Sequence, residues 1–515
     1  MSSGWAFLNL AQFAILGSSC ILAALALSIW LEIAVKKDGA LKKSRNFKFT
    51  VLSLYSSLKS RLATSSFLKL NSMSWCRSRG APFTVDTPNN TIVLVSDWGR
   101  IKEIDAAPEG TLSLLAAARD ILQPRHTMDG FAWSDRRGSD GAPLQMTMRS
   151  RLTSHLPVLL PKIRHNLHAL LDQRLDTLPV AEDAQNQSFL RAGIKMVEHT
   201  VIIAEILRMV PGLFSNYLGN YLSSRLDSGK VMTEALTSEV SRRFQNRELR
   251  KQGLEIPEQN DCIEWIMDHS PRHKPWGVTR VVNELIAVWF GSVHIASTTA
   301  CAAMFDLCDN PDFVDILREE IRHTGWQGFD QSGGQILPLM DSFLKESARL
   351  NPIESVSTRR KVLKPFKFSD GMTVQPGNWI CSAARGMNRN PNTWAKADEF
   401  YIFRFVKPEV LEQAEKYIEG LSSDKFKIPE AGKTSAYTDV SGWQQWGTGK
   451  GSCTGRWYAS AAIKTILGVL ITRYDIKLVD PTAKRYFSWR TFIYPYESTQ
   501  VTIKKRHEIG SHVLR

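Results

Sequence analysis

The residue with the clearest chemical potential is Cys453, near the end of the segment Trp446-Gly447-Thr448-Gly449-Lys450-Gly451-Ser452-Cys453-Thr454-Gly455-Arg456. Four glycines within nine residues let the backbone enter left-handed conformations and approach a flat ligand closely. An apolar helical pattern follows, which places the cysteine at the positive end of a helix dipole and favours its thiolate. Backbone N–H groups of such a loop also tune a sulfur ligand. The segment therefore predicts a thiolate that binds a metal.

Two other interpretations of this segment stay open on its sequence alone. A glycine-rich loop before a helix binds phosphate, but the Walker pattern needs Gly-Lys-Ser/Thr at the helix start and a strand before it. Gly449-Lys450-Gly451 and the preceding Ser441–Gln445 supply neither feature. The second alternative is a buried structural cysteine. The seven cysteines include no Cys-x-x-Cys pair, so a zinc ribbon is excluded and a reducing compartment is indicated.

A second set of chemically significant residues is Glu346, Arg349 and Arg404. Glu346 and Arg349 have i, i+3 spacing, which puts both on one face of a helix. Arg404 lies among aromatic residues, where a guanidinium needs a carboxylate partner. Because a carboxylate has four lone-pair sites, we expect Glu346 to accept from both arginines.

The elements that position these residues are mostly helical before residue 350 and mixed after it. Apolar residues recur at helical spacing in residues 152–175, 189–225, 229–252, 278–308 and 311–323. Strand-forming runs occur at residues 81–85 and 91–95 around a Pro-Asn-Asn turn, and at 362–368, 372–374, 474–478 and 501–504. We therefore expect one large, mainly α domain with small β-sheets.

The amino-terminal segment has the character of a membrane anchor. Residues 1–31 contain no charged side chain, and this segment is long enough for a bilayer-spanning helix. Lys36 and Lys37 follow shortly after it. Positive charge after the span predicts that the rest of the chain faces the cytosol. We expect an anchor in residues 1–35, a basic linker in 36–80 and a catalytic domain in 81–515. The alternative of a cleaved signal peptide is disfavoured, because positive charge would then precede a shorter apolar core.

Composition limits the class of partner. The chain has 515 residues, of which 43% are hydrophobic and 23% charged, and its net charge is +14. These values are ordinary for a folded globular protein. The positive charges are scattered and form no basic tail, so nucleic-acid binding is not expected. The excess charge is that of a solvated basic surface, and its functional interpretation is attraction to an acidic protein partner or to anionic lipid.

Taken in order, the Glu-x-x-Arg motif, the aromatic-Arg-Phe element and the cysteine loop resemble those of a cytochrome P450, most of all the filamentous-fungal members of secondary metabolism. The resemblance implies a triangular helical prism around haem b, with one transmembrane helix before it. It implies that Cys453 is the axial ligand of the haem iron and that Glu346, Arg349 and Arg404 form a structural lock behind the haem. It also implies a haem-binding set made of Trp446, Gly447, Gly449, Lys450, Cys453, Gly455 and Arg456.

The helix expected above the haem departs from the family pattern. If Gly291 is aligned with the family's small residue, His294 takes the acidic position and Ile295 the threonine position. The proton relay would then use His294 with Ser297, Thr298 or Thr299, since Thr299 shares a helix face with Ile295. The alternative is that His294 is a hydrogen-bonded core residue and that water or the substrate carries the protons.

A second departure is Gly451, where the family often has a basic residue that contacts a haem propionate. Lys450, or Arg359 and Arg360 further back, are the candidates to replace that charge. The resemblance also implies electrons from NADPH through cytochrome P450 reductase. We expect Lys450, Arg456 and Lys464 to form a basic docking surface for it.

We therefore expect a monooxygenase of the endoplasmic reticulum membrane that hydroxylates a small apolar terpenoid, polyketide or alkaloid. One alternative is a haem-thiolate isomerase or dehydratase that needs no external reductant, and the absent threonine motivates it. The other is a membrane protein that holds haem without catalysis.

Overall fold

The computed structural model describes residues 81–506 apart from 88–89, 129–146, 173–183, 211, 225–226, 273–274, 422–435, 490 and 497. The predicted anchor in 1–35 and linker in 36–80 lie outside the described residues. The described part is mainly helical with four small sheets. This is the mixture expected from the sequence.

The strands that build the sheets are short. They are β1 (Phe83–Asp86), β2 (Thr91–Val95), β3 (Leu112–Ser113), β4 (Ser357–Val362), β5 (Phe366–Lys367), β6 (Thr373–Val374), β7 (Trp379–Ser382), β8 (Tyr474–Leu478), β9 (Tyr486–Trp489), β10 (Phe492–Pro495) and β11 (Val501–Lys505). The largest sheet has the order β1-β2-β7-β4-β3, in which only β2 and β7 are parallel. Three two-stranded sheets pair β9 with β10, β8 with β11 and β5 with β6.

The helices carry most of the core. They are α1 (Trp98–Ala106), α2 (Leu114–Leu122), α3 (Pro124–Thr127), α4 (Leu156–Leu171), α5 (Ala184–Met209), α6 (Gly212–Ser224), α7 (Ser228–Lys251), α8 (Cys262–Asp268), α9 (Val278–Asp309), α10 (Asp312–Gln331), α11 (Pro338–Leu350), α12 (Ala384–Asn388), α13 (Pro408–Ala414) and α14 (Arg456–Arg473). A π-helical segment (Thr147–Leu152) precedes α4, and a 3₁₀ turn (Gly449–Gly451) precedes α14.

Local side-chain chemistry starts several of these helices. Asp97 and Ser113 accept hydrogen bonds from backbone N–H groups in the first turns of α1 and α2, and Asp261 does so for α8. Proline opens α11 at Pro338, where its missing N–H would have no helical partner.

Helix α9 is the central element. It packs against α5, α7, α8, α11 and α14, and its buried residues include Ala303 and Phe305. Among the described helices, α9 alone is long and apolar enough to cross a bilayer by those two criteria. It contacts five neighbouring helices, and 22% of its most apolar 18-residue window is buried.

The sequence-based elements agree with the structure in the helices and in several strands. The hairpin of β1 and β2 is confirmed, as are β8 and β11. The continuous strand expected over 362–368 is wrong, because β4 ends at Val362 and β5 covers only Phe366–Lys367. Pro365 lies in the break, and proline cannot donate to a strand ladder.

Candidate functional site

The cysteine loop is closed by its own backbone. The N–H of Cys453 donates to the carbonyl oxygen of Trp446 at 2.7 Å, which joins the two ends of the loop. Within the loop, the N–H of Gly451 donates to the carbonyl oxygen of Thr448 at 3.1 Å, and the N–H of Ser452 donates to the carbonyl oxygen of Gly449 at 3.2 Å. The Trp446 ring nitrogen donates to the Tyr437 carbonyl oxygen at 2.6 Å. These bonds fix the position of Cys453 before α14.

The thiol of Cys453 has a mixed electrostatic environment. The residue has an exposed surface, but protein surrounds most of the thiol, and this desolvation raises the pKa of the thiol. The backbone N–H groups of Gly455 and Arg456 and the Arg456 charge oppose that effect by favouring the thiolate. The sulfur therefore has N–H donors from the start of α14, and a bound cation would complete the stabilisation of its charge.

Glycine is required in this loop by close approach as well as by backbone conformation. Gly447 and Gly449 have φ values of +75° and +54°, in the left-handed region. A Cβ atom at Gly449 would lie 2.6 Å from the Asp105 carboxyl carbon, and one at Gly451 would lie 2.7 Å from Nη2 of Arg360. Larger residues at these positions would displace the groups that pack on the loop.

Arg360 occupies the space beside Gly451. Its Nη2 donates to Oδ1 of Asp105 at 3.1 Å, and the same oxygen accepts from the Thr448 hydroxyl at 3.0 Å. Burial raises the pKa of Asp105, while the hydrogen bond from Thr448 and the charge of Arg360 lower it. A buried cation therefore stands where the resemblance expects a basic side chain at position 451. Of the other two candidates, Lys450 is exposed and Arg359 pairs with Glu354.

The loop lines a cavity to which α9 contributes one residue, Ile295. Its lining includes Gly447, Thr448 and Gly451 of the loop, Ile295 of α9, and Arg359 and Arg360 of β4. Leu114, Ile121, Val356 and Phe492 add apolar surface. Cys453 is not itself among the lining residues, but it lies two residues beyond Gly451 on the same loop. Glycine backbone and two guanidinium groups in the lining, with a thiol on the adjoining part of the loop, are features that fit an iron porphyrin with acidic side chains. The residues present thus fit haem.

Glu346, Arg349 and Arg404 form one buried cluster. Glu346 and Arg349 are fully buried, and Arg404 is 3% exposed. The Glu346 carboxylate accepts from Arg349 at 2.7 and 2.9 Å, and from Nε of Arg404 at 3.1 Å to each oxygen. Tyr401 N–H donates to the same carboxylate at 2.9 Å. The remaining guanidinium donors reach backbone carbonyls, including those of Ala395 and Asn388. Buried charge is therefore fully hydrogen-bonded, the arrangement that makes such a cluster rigid.

None of the four candidate relay residues on α9 is among the residues that line the cavity. Thr298 and Thr299 are buried, and the Thr299 hydroxyl donates to the Ile295 carbonyl oxygen at 2.9 Å. The Ser297 hydroxyl donates to the Val293 carbonyl oxygen at 2.8 Å. Of the described α9 residues, Ile295 is the one that lines the cavity, and its exposed fraction is 49%.

His294 is half-buried and contacts β10. Its ring centroid lies 5.8 Å from that of Tyr494, and burial lowers the pKa of the imidazole. A neutral imidazole both donates and accepts a proton, so His294 keeps the chemistry of a relay group. Its ring packing equally suits a core residue, the alternative stated from the sequence.

The three basic residues expected at the docking surface have different environments. Lys450 is exposed, and Arg456 is half-buried, with its guanidinium donating to the carbonyl oxygens of Thr438 and Cys453 at 3.1 and 2.9 Å. The expectation for Lys464 is wrong: its side chain is fully buried and its Nζ pairs with Asp341 at 2.8 Å. Helical periodicity does not distinguish a paired internal lysine from a surface one, so the burial of Lys464 could not be predicted from its position.

Sequence reasoning also missed residues of the site. Asp105, on α1, joins the cysteine loop to β4 through Thr448 and Arg360. It is distant in sequence from both partners and belongs to no local motif. Only the three-dimensional packing of α1 against the loop brings it there.

Comparison with known proteins identifies a family for this chain. The cytochrome P450 family model matches residues 178–502. Cytochrome P450 monooxygenase 151 of Postia placenta is 25% identical over 460 residues, covering 82% of this chain and 86% of that protein. Cytochrome P450 monooxygenase BOA4 of Botryotinia fuckeliana is 33% identical over 241 residues, 46% of this chain and 45% of that one.

Among solved structures, retinoic acid-bound cyanobacterial CYP120A1 has the same fold, with a TM-score of 0.58 and 14% identity over 84% of this chain and 93% of that one. The family match extends through α9, the Glu346 cluster and the cysteine loop. With that match over most of its length, a haem-compatible site and monooxygenases among its relatives, the chain belongs to the cytochrome P450 family and is an oxygen-incorporating oxidoreductase.

Proposed function

We propose that this monooxygenase binds haem b through Cys453 and oxidises a small apolar secondary metabolite, with electrons from NADPH through cytochrome P450 reductase. The observation that carries the proposal is a single cavity lined both by the cysteine loop and by apolar residues of other elements. The loop that bears Cys453 forms one wall, and Ile295, Leu114, Ile121 and Phe492 supply apolar surface around it. Bound haem with a thiolate ligand supplies the chemistry of O–O bond cleavage.

In this proposal each group of residues has a separate task. Trp446, Gly447, Gly449, Gly455 and Arg456 shape and brace the loop, and Lys450 or Arg360 offers positive charge to a haem propionate. The Glu346, Arg349 and Arg404 cluster is the structural lock that holds the surrounding chain. The apolar wall excludes water and binds a substrate with few polar groups, such as a terpenoid, polyketide or alkaloid.

Proton delivery is proposed for α9. The hydroxyls of Ser297, Thr298 and Thr299 and the His294 ring are the proton carriers that this helix offers. Because Ile295 stands where the resemblance aligns a threonine, relay through those groups needs a water or a substrate hydroxyl between them and the cavity.

We also propose that residues 1–35 anchor the chain in the endoplasmic reticulum membrane as a single span, that 36–80 form a basic linker and that 81–515 form the cytosolic catalytic domain. The uncharged residues 1–31 support this arrangement. Helix α6 adds an aromatic stripe at i, i+3 and i+7, formed by Phe214, Tyr217 and Tyr221, which are 62%, 82% and 51% exposed. Exposed aromatic rings of this kind suit contact with lipid.

The proposal is tested with microsomes that contain the full chain and reductase, supplied with NADPH, ¹⁸O₂ and extracts of candidate terpenes and polyketides. The expected result is a product that carries one ¹⁸O atom and depends on both NADPH and reductase. The protein should stay in the membrane pellet after an alkaline carbonate wash. A product formed without reductant or labelled oxygen would favour the isomerase or dehydratase alternative instead.

A further inference from the structure

The cavity contains one acidic side chain among its lining residues, Glu354. It lies between α11 and β4, in a segment held against β10. Ser355 N–H donates to the Thr491 carbonyl oxygen, and Ile493 N–H donates to the Ile353 carbonyl oxygen, both at 2.7 Å. The backbone that carries Glu354 is therefore fixed on both sides.

One carboxylate oxygen of Glu354 is engaged by the protein. Oε1 pairs with Nη2 of Arg359 and accepts from the Thr491 hydroxyl at 2.9 Å. The Arg359 guanidinium in turn lies 5.5 and 6.0 Å from the ring centroids of Trp379 and Phe492. These contacts hold the carboxylate in one orientation and balance its charge.

The other oxygen, Oε2, has no hydrogen bond from any residue in the described part of the chain, and the Glu354 side chain remains 29% exposed. The cavity surface around it includes Ile353, Val356 and Phe492. An oxygen of an ionised carboxylate is a strong hydrogen-bond acceptor. Its charge is already paired with Arg359, so a neutral donor satisfies it.

We propose that Oε2 of Glu354 accepts a hydrogen bond from a hydroxyl or N–H group of an otherwise apolar substrate and so orients that substrate in the cavity. The inference rests on the proposed function, since it concerns the substrate of the same site. It narrows the substrate class to apolar molecules that carry a hydrogen-bond donor. A site that hydrogen-bonds a substrate donor discriminates against analogues without that donor, because the acceptor is then left without its partner.

The test uses imidazoles that bear an alkyl chain ending in a hydroxyl, each matched with its methyl ether, over a series of chain lengths. The imidazole nitrogen coordinates the haem iron, so the shift of the Soret band measures binding for every ligand. For the wild-type full chain we expect the alcohol to bind about tenfold more tightly than its ether at the length that reaches Glu354.

In Glu354→Leu the alcohol and its ether should bind about equally, so that the ratio of their dissociation constants is about one, because the hydrogen bond to the charged carboxylate is lost. Because that change leaves Arg359 without its carboxylate, the double variant Glu354→Leu/Arg359→Leu is measured beside it and should give the same result. Ile121→Ala is the matched control: it changes the apolar wall of the same cavity and should keep the preference for the alcohol.

A ratio near one at every chain length in the wild type would overturn the inference, and so would a preference that persists in the double variant. Failure of the proposed function has a different signature. In that case no imidazole shifts the spectrum and the reduced protein gives no red-shifted carbonyl band. Normal spectra with equal binding of alcohol and ether would reject the role of Glu354 alone.

Discussion

The contribution of a charged residue in this chain depends on its burial, which the spacing of residues in the sequence does not reveal. Glu346 and Arg349 have the i, i+3 spacing of an ordinary surface pair, and so do Glu319 and Arg322 on α10. The first pair is fully buried, whereas Glu319 and Arg322 are 31% and 59% exposed. Only Glu346 is enclosed with a second arginine, Arg404. Its removal leaves two buried cations without their carboxylate.

We predict that Glu346→Ala lowers the free energy of unfolding by about 3–5 kcal/mol, the range measured when one partner of a buried ion pair is removed. Glu319→Ala is the matched control and should change it by less than about 1 kcal/mol. Urea unfolding of the purified full chain, followed by circular dichroism, measures both. Equal effects of the two substitutions would show that burial of the Glu346 cluster contributes nothing.

Site residues that belong to short local motifs could be predicted from the sequence. Residues that reach the site only through tertiary packing could not. Cys453, Glu346 and Arg349 stand in recognisable short motifs. Arg360 was one of three candidates for a propionate contact, and nothing in the sequence placed it beside Gly451. Asp105 had no motif at all, since its partners lie on other elements.

At the scale of the elements, a buried aspartate near the carboxyl end of α9 hydrogen-bonds the residue that follows α11. Asp306 of α9 accepts from the Asn351 side chain, which follows α11, at 3.0 and 3.3 Å. Burial raises the pKa of Asp306 to about 7, although hydrogen bonds from Ser347 and Asn351 oppose it. This contact links the helix that lines the cavity to the helix that bears Glu346.

The raised pKa of Asp306 predicts a pH dependence of stability. Between its ordinary pKa of 3.8 and about 7, the folded state binds a proton that the unfolded state has released. The contribution of Asp306 to stability is therefore greatest below this window and falls as the pH rises through it. Asp306→Asn should flatten this part of the stability profile, as measured by urea unfolding at several pH values. An unchanged slope between pH 4 and pH 7 would contradict the assignment.

Helical elements were more predictable than strands for a physical reason. A helix such as α9 repeats its apolar face over many turns, so its period is clear in the sequence. Strands β7, β9 and β10 cover four residues each, and this is too short for alternation to be distinctive. The position of Phe492 in the cavity wall, which depends on β10, was therefore not foreseen.

At the scale of the whole molecule, the chain has a net charge of +14, and direct contact with an acidic partner requires basic side chains at the surface. Near the cysteine loop, Lys450 is exposed, whereas Lys464 is internal and paired with Asp341. The docking surface that we propose for the reductase can therefore use Lys450 but not Lys464.

We predict that Lys450→Glu raises the KM for reductase several-fold in steady-state turnover, and that added salt reduces the difference from the wild type. Lys464→Met should leave this KM unchanged and instead lower the free energy of unfolding by about 3–5 kcal/mol, because Asp341 loses its buried partner. A higher KM in the Lys464 variant, with none in the Lys450 variant, would contradict this picture of the surface.

The role of Cys453 as the thiolate ligand is tested most directly by the absorption spectrum of the reduced, carbonyl-bound full chain. The wild type should show the red-shifted Soret band of a thiolate complex, and Cys453→Ala should lose it. Cys262→Ala, which changes a partly buried cysteine at the start of α8, should keep it. A folded, haem-loaded wild type without this band, or a Cys453→Ala variant that retains it, would contradict the account.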